Sequence, residues 1–315
     1  MIIVTGAAGY IGGVISLKLK DAGYNIIGLD RRPCPDHLKL CFDQFVESDF
    51  VDPIALQFIA DAKADIIIHC AGNSLVGPSM TDPEEYYHNN IVKTLSLLDT
   101  IVKHSSNTRI IFSSSAAVYG VPIMTSCNEV DPCEPISPYG ESKLAIEWIL
   151  KAYNRAYKLD YIAFRYFNVV GADIQGRHGQ DPGATHIIAR VLESIKNKTE
   201  FTLFGNNYET PDGTCIRDYI HVDDVASAHI AAFDRKIQAG VYNLGTNRGV
   251  SNLEIVNEVA AVTGVKFPIA FKDKRPGDPA ILVGEADKFQ KAAGWQSKYT
   301  LTDIIQHAWA WYARN

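Results

Sequence analysis

The chain of 315 residues is short of most things that would make a redox, metal or membrane protein. It has six cysteines, and none of them forms a C-x-x-C pair, so Cys34, Cys41, Cys70, Cys127, Cys133 and Cys215 read as free thiols. Its nine histidines show neither H-x-x-x-H nor H-E-x-x-H spacing, and no metal is expected. No apolar run reaches the roughly 18 residues of a membrane span. Strand-like Ile2-Ile3-Val4 follows Met1 directly and leaves no room for a signal peptide, so the expected setting is cytoplasmic, with no membrane partner. With 30 Lys plus Arg against 36 Asp plus Glu there is no basic excess for phosphate neutralisation, and no nucleic-acid partner is expected. No repeat or low-complexity tract appears.

What is present is a core. Apolar residues make up 47% of the chain, enough for two lobes. Buried, β-branched runs at residues 2–5, 25–29, 65–70, 109–113 and 161–166 alternate with amphipathic stretches. That alternation predicts an α/β fold: a doubly wound, Rossmann-like parallel sheet carrying a second, smaller α/β substrate lobe. The dinucleotide-binding domain is expected over residues 1–167 plus about 220–250, since strand-like 219–222, a helix over 223–233 and a strand over 240–244 look like a return to the first sheet. The substrate lobe is expected over about 168–219 plus 251–315, with helices over about 185–196, 251–263 and 300–314.

Thr5-Gly6-Ala7-Ala8-Gly9-Tyr10-Ile11-Gly12 joins the first strand to the first helix. There Gly6 permits a tight turn, Gly9 lets backbone approach a pyrophosphate, Gly12 lets helix and strand pack, and the helix N-terminus offers donors. Asp30 ends the next strand, where a carboxylate accepts the adenosine-ribose hydroxyls and repels a 2′-phosphate. Arg31 and Arg32 argue for NADP, but Asp30 favours NAD. Asp49 and Phe50 follow a short strand at a position to flank the adenine, or are a surface acid beside a core ring.

Tyr139 and Lys143 lie four apart on a helix that Ser137 and Pro138 are suited to start. Ser113-Ser114-Ser115 ends the fourth of the long strands, and ligands bind beyond the carboxyl ends of such strands. A phenol of pKa about 10 must fall by about three units, roughly 4 kcal/mol, to act near neutrality. One ammonium about 4 to 5 Å away supplies about 3 to 4 kcal/mol at an effective dielectric of 20 before screening, and an oxidised nicotinamide adds more positive charge. Ser115, Tyr139 and Lys143 can therefore take a proton from an alcohol while a nicotinamide takes hydride.

These residues resemble the extended short-chain dehydrogenase/reductases, and within them most closely the UDP-glucose 4-epimerases. The likeness runs nearly end to end: TGAAGYIG at Thr5, HCAG at His69, YYHNN at Tyr86, SSSAAVYG at Ser113, SPYGESK at Ser137, RYFNVVGA at Arg165, FGNNYETPDGTCIRDYIHVDD at Phe204, YNLGT at Tyr242 and RPGDPA at Arg275. The resemblance implies an NAD-dependent isomerase that interconverts UDP-galactose and UDP-glucose by transient oxidation at C4. It implies Ser115, Tyr139 and Lys143 as the catalytic trio. Cofactor contacts would come from Gly6, Gly9, Tyr10, Ile11, Gly12, Asp30, Asp49, Phe50, Cys70, Ala71, Gly72, Asn90, Phe167 and the trio itself. Asn168, His186, Ile187, Phe204, Arg217, Arg275 and Asp278 would hold the UDP-sugar, with Arg217 and Arg275 clamping its diphosphate.

A homodimer through the two middle helices, near 85–102 and 139–156, is likewise implied. The chain departs from the pattern where Ser74 stands in place of a Lys, where Gly13-Val14 replaces Ser-His, and in the short stretch after Asp30. Leu282 falls at the wall position that tunes acceptance of N-acetylated sugars. The alternatives are a 4-epimerase of another UDP-sugar (pentose, hexuronate or N-acetylhexosamine), a 4,6-dehydratase, or a non-catalytic dinucleotide sensor. Ala116-Ala117 stands where the dehydratases carry an Asp-Glu pair, and the filled trio argues against a mere sensor.

Overall fold

The computed structural model describes residues 1–105, 107–122, 124–181, 183–274 and 278–314. The first lobe begins β1 (Ile2–Thr5), α1 (Tyr10–Asp21), β2 (Ile26–Asp30), β3 (Gln44–Glu47), α2 (Pro53–Ala62) and β4 (Ile66–His69). Two short turns of helix, α3 (Val76–Ser79) and α4 (Pro83–Tyr86), precede α5 (Lys93–His104), β5 (Arg109–Ser115), α6 (Pro138–Tyr157) and β6 (Asp160–Tyr166). Every residue of β1 and β4 is buried, as their unbroken apolar runs require when helices cover both faces of a sheet.

All pairings in the main sheet are parallel, in the order β10-β6-β5-β4-β1-β2-β3, with β10 at Gly240–Leu244. The chain winds outward from β1 through β2 to β3 and then returns to lay β4 on the other side of β1. A crevice therefore opens beyond the carboxyl ends of β1 and β4.

The rest comprises β7 (Asn168–Val170), α7 (Ile187–Asn197), β8 (Phe201–Phe204), β9 (Ile216–His221), α8 (Val222–Ala231), β11 (Gly249–Ser251), α9 (Asn252–Thr263), β12 (Ile269–Lys272), β13 (Ile281–Leu282), α10 (Asp287–Ala293) and α11 (Leu301–Tyr312). Here the structure corrects the sequence expectation. The 219–222 stretch does not return to the main sheet: β9 pairs in parallel with β7 and β13 and antiparallel with β11, in a second sheet. Only β10 rejoins the first sheet, while α8 packs on α1, tied by Lys18 to Asp223 at 2.6 Å. Strand patterns alone could not decide this, because sheet membership depends on which neighbour is free to pair.

All six cysteines are free thiols, no helix among the described residues is long and apolar enough to cross a membrane, and no group of three or more His, Cys, Asp or Glu among them is placed to hold a metal ion.

Buried histidines give this core a pH dependence. His69 bridges the Thr5 hydroxyl at 2.7 Å and the Thr94 hydroxyl at 3.0 Å, and His229 lies between the Tyr166 hydroxyl and the Val225 carbonyl, each at 2.8 Å. Burial lowers them from about 6.5 to about 3 and about 4, and lowers His221 as well. Their stabilisation is complete above pH 6.5 and is lost as pH falls, because the unfolded chain protonates first. Asp218 and Asp224, raised by burial to about 6, act with the opposite sign: their contribution is present at low pH and fades as pH rises through 6. Going from about pH 7.5 to about pH 5.5, three histidines lose about 4 kcal/mol and two carboxyls regain about 1.5. Urea unfolding at the two pH values should show a net loss of about 2 to 3 kcal/mol; equal stability at both would contradict the assignment.

Candidate active site

Residues 6–9 turn sharply out of β1 and α1 begins at Tyr10 with Gly9 as its N-cap, which supplies no side-chain cap of its own. The first-turn N–H groups are thus left for a ligand to satisfy. A Cβ on Gly12 would lie 2.2 Å from the Gly6 carbonyl oxygen, closer than any real contact. Gly12→Ala must therefore spread the turn, and a loss of dinucleotide affinity of about tenfold or more is expected in a fluorescence titration. Unchanged affinity would show the turn to be unimportant.

Asp30, at the end of β2 and only 7% exposed, accepts from Ala8 N–H at 3.0 Å and Arg32 N–H at 2.9 Å. The missing side chain at Gly13 has a visible use. His178 occupies that space, with Nε2 3.2 Å from the Gly9 carbonyl and Nδ1 2.9 Å from His37 Nε2, and so buttresses the turn from behind.

Not every expected cofactor residue faces the crevice with its side chain. Phe50 is packed in the core against the edge of the His69 ring. Asp49 pairs with Lys93 at 2.5 Å. The Tyr10 hydroxyl donates to the Gly171 carbonyl at 2.8 Å, and Ile11 packs on the apolar core. Asn90 is buried and structural in its bonds: its amide donates to the Asn73 carbonyl and to Ser142 Oγ, and its oxygen accepts from Asn73 N–H. That holds Gly72, at φ +143°, beside the Lys143 ammonium.

At the other end of the crevice the three serines of β5 each meet one residue on a single face of α6. Ser115 Oγ accepts from Ala117 N–H at 3.1 Å, and its hydroxyl pulls the Tyr139 phenol toward ionisation. Lys143 Nζ donates to the Ser113 carbonyl at 2.9 Å. Ser114 Oγ donates to Glu147 Oε1 at 2.5 Å, and Glu147 also takes Arg165 of β6, at 3.0 Å from Nε and 2.6 Å from Nη2. Tyr139, Lys143 and Glu147 are spaced by four, so one stripe of helix is fastened to one strand end. Ser137 starts α6 by accepting Gly140 N–H at 3.2 Å, and a Cβ at Gly140 would fall 2.5 Å from the Ala117 carbonyl, which lets the helix approach closely.

The electrostatics differ from the sequence argument. Burial raises the Tyr139 phenol above its usual value of 10, with only the Ser115 hydrogen bond pulling it down. Lys143, 6% exposed, is itself pushed down to about 8 by burial, and its Nζ stands 5.8 Å from the Tyr139 ring centre. Desolvation penalises both charged forms. A further positive charge in the crevice would favour the phenolate.

On the substrate side, Phe167 is buried, stacked on Tyr119 at 6.4 Å, and Leu282 of β13 packs against the same cluster. Leu282 pairs in register with Arg217, which brings the second sheet to the crevice. Arg217 is not paired with its neighbour Asp218. It donates to Asp278 Oδ1 at 2.5 Å and to the Ile216 and Pro279 carbonyls at 2.7 and 2.6 Å. Offering it to a diphosphate therefore requires these bonds to be exchanged. Asn168 donates to the Asp218 carbonyl at 3.1 Å, His186 caps α7 ahead of Ile187, and Phe204 ends β8 half-buried. Arg275 lies outside the described residues.

Sequence reasoning passed over Glu147, Arg165 and His178. The first two had a signal: Glu147 continues the Tyr139–Lys143 spacing, and a charged Arg165 in an otherwise apolar strand demands a partner. His178 had none, since its role depends on a contact 169 residues away.

Comparison with known proteins places this geometry. A model of the NAD dependent epimerase/dehydratase family matches residues 2–245. The UDP-glucose 4-epimerase of Halalkalibacterium halodurans is 41% identical over 99% of this chain and 95% of its own. The structure of UDP-glucose 4-epimerase from Brucella ovis in complex with NAD has 37% identity and a TM-score of 0.93, covering 99% of this chain and 98% of that one. The Bifidobacterium longum UDP-glucose 4-epimerase in complex with NAD+ and UDP has 35% identity and a TM-score of 0.91, covering 100% and 98%.

Proposed function

The chain belongs to the NAD dependent epimerase/dehydratase family, and from that premise we propose that it is an NAD-dependent UDP-sugar 4-epimerase that interconverts UDP-galactose and UDP-glucose. The observation that carries the reading is the fastening of Ser115, Tyr139 and Lys143 between β5 and α6, in the same crevice as the glycine turn. The uncapped turn and the Asp30 carboxylate suit a dinucleotide.

NAD held at the glycine turn and Asp30 would supply a cationic nicotinamide that favours the phenolate and a reversible hydride acceptor for sugar C4. Tyr139 takes the proton of the 4-hydroxyl and later returns it to the same oxygen, and inversion at C4 requires the sugar to turn over between the two transfers while its diphosphate stays held. Ser115 orients that hydroxyl. Lys143, held by the Ser113 carbonyl, fixes a positive charge behind the phenol. Arg217 and Asp278, with Asn168, are assigned to the UDP, and Leu282 to the wall beside the sugar. Purified protein should convert UDP-galactose to UDP-glucose without added oxidant. Absence of turnover on that pair and on other UDP-sugars would refute the assignment, and release of a 4-keto-6-deoxy sugar would point to dehydration.

Six free thiols and a UDP-sugar substrate suit a reducing, cytoplasmic setting. The occupant assigned to the outer face of α5 and α6 is a second copy of this chain: Trp148 and Tyr157 of α6 are 64% and 60% exposed, Val92 just before α5 is 53% exposed, and both helices bury other residues in the core. Trp148→Arg is expected to shift sedimentation from dimer to monomer. A wild-type monomer at micromolar concentration would refute the dimer.

A further inference from the structure

Residues 171–180 leave β7 and double back on themselves: Ala172 bridges Gly179 in antiparallel fashion, and Asp173 N–H donates to the His178 carbonyl at 2.8 Å. This loop is fastened to both ends of α1. At the start of the helix the Gly171 carbonyl takes the Tyr10 hydroxyl at 2.8 Å, and His178 Nε2 lies 3.2 Å from the Gly9 carbonyl. At its far end Arg177 meets the Asp21 carboxylate at 2.9 and 2.7 Å. Asn168, assigned to the UDP, heads the same run of chain in β7. One short stretch therefore joins the substrate side of the crevice to the glycine turn.

The partners of His178 fix which nitrogen carries the hydrogen. A carbonyl oxygen only accepts, so Nε2 is the donor, and Nδ1 is left to accept from His37 Nε2 at 2.9 Å. Burial lowers the ring below its usual 6.5, with His37 adding to the effect and the Gly9 carbonyl, Asp181 and Asp173 opposing it. Asp173 does not compete for the ring, since Arg177 holds its carboxylate at 2.9 and 2.7 Å. Packing keeps the imidazole in place: Trp311 meets it edge to face at 5.9 Å, and a Cβ on Gly13 would lie 2.5 Å from its Nε2. The Gly9 oxygen also closes the first helical bond, from Gly13 N–H at 2.8 Å, so His178 is a second tie on one atom. That carbonyl shares a peptide plane with Tyr10 N–H, the first of the donors that α1 leaves for a ligand. In a trans peptide the two point in opposite directions, so a bond behind the turn sets the direction of the donor in front.

We infer that His178 is a positioning residue for the cofactor: through the Gly9 carbonyl it directs Tyr10 N–H at the dinucleotide pyrophosphate, which ties retention of the dinucleotide to the substrate lobe. This rests on the dinucleotide reading of the crevice. In the test, purified protein is loaded with labelled NAD, and release is followed after a chase with excess unlabelled NAD. His178→Leu fills a similar space without a donor, and its release is expected to be about tenfold faster than wild type. Its kcat on UDP-galactose at saturating NAD should stay within about twofold of wild type, because the bond acts on cofactor retention and not on the proton transfer. His178→Gln, whose amide can donate to the same carbonyl, should release NAD within about threefold of the wild-type rate. Release from the Leu variant at the wild-type rate overturns the inference. So does a Gln variant that releases as fast as the Leu variant, and so does a fall in kcat that saturating NAD does not restore. Wild-type protein that retains no dinucleotide overturns the underlying reading as well, so the two failures are distinguishable.

Discussion

Replacing Tyr139 by Phe is expected to lower the rate of UDP-galactose conversion by about a thousandfold or more, about 4 kcal/mol of activation free energy, while the protein folds and holds its dinucleotide as before. The phenol oxygen is the group placed to carry a proton between enzyme and sugar, and Phe keeps its ring contact with Tyr86 and removes only that oxygen. What is lost structurally is one hydrogen bond with Ser115, about 1 kcal/mol, and Ser115 keeps its bond to Ala117 N–H. The measurements are turnover of UDP-galactose, thermal unfolding and dinucleotide content. Activity within tenfold of wild type would mean that some other group moves the proton.

The second large effect is on stability. Glu147→Ala leaves the Arg165 guanidinium buried without its carboxylate and Ser114 Oγ without its acceptor. Side-chain exposure is 5% for Arg165 and 3% for Glu147, so water cannot replace the lost partner, and a loss of about 3 to 5 kcal/mol in urea unfolding is expected. Replacing both residues with apolar ones of similar volume should recover most of that loss, because no charge is then stranded. Activity should recover less than stability does. Without the pair, α6 keeps only the Lys143 bond to the Ser113 carbonyl as a polar tie to β5, and the alignment of Tyr139 with Ser115 loosens. A single variant within about 1 kcal/mol of wild type would show that the pair contributes little.

Much of the site was legible in the chain. Glycines at 6, 9 and 12, Asp30 at a strand end, and Tyr139 four residues before Lys143 each announce themselves through local geometry, because a turn, a strand end and a helical face are properties of short segments. Arg217 was legible as a charge but not as a partner. Its bonds run to Asp278 and to carbonyls from 279 onward, and only the pairing of β13 with β9 brings them together. The same holds for His178 behind the glycine turn and for the placement of β9 in the second sheet.

The proton affinity of the phenol was not legible: spacing from Lys143 carries no information about solvent, and burial works against both charged forms.

Sequence alone therefore determined the alternation of strand and helix, the glycine turn, the acid at Asp30 and the Tyr–Lys stripe, all of which depend on residues within a few positions of each other. Tertiary structure decided which strands share a sheet, which charges find partners, and how strongly each proton is held. Those depend on what lies across a packed interface and how much water it excludes, and that depends on residues distant in the chain.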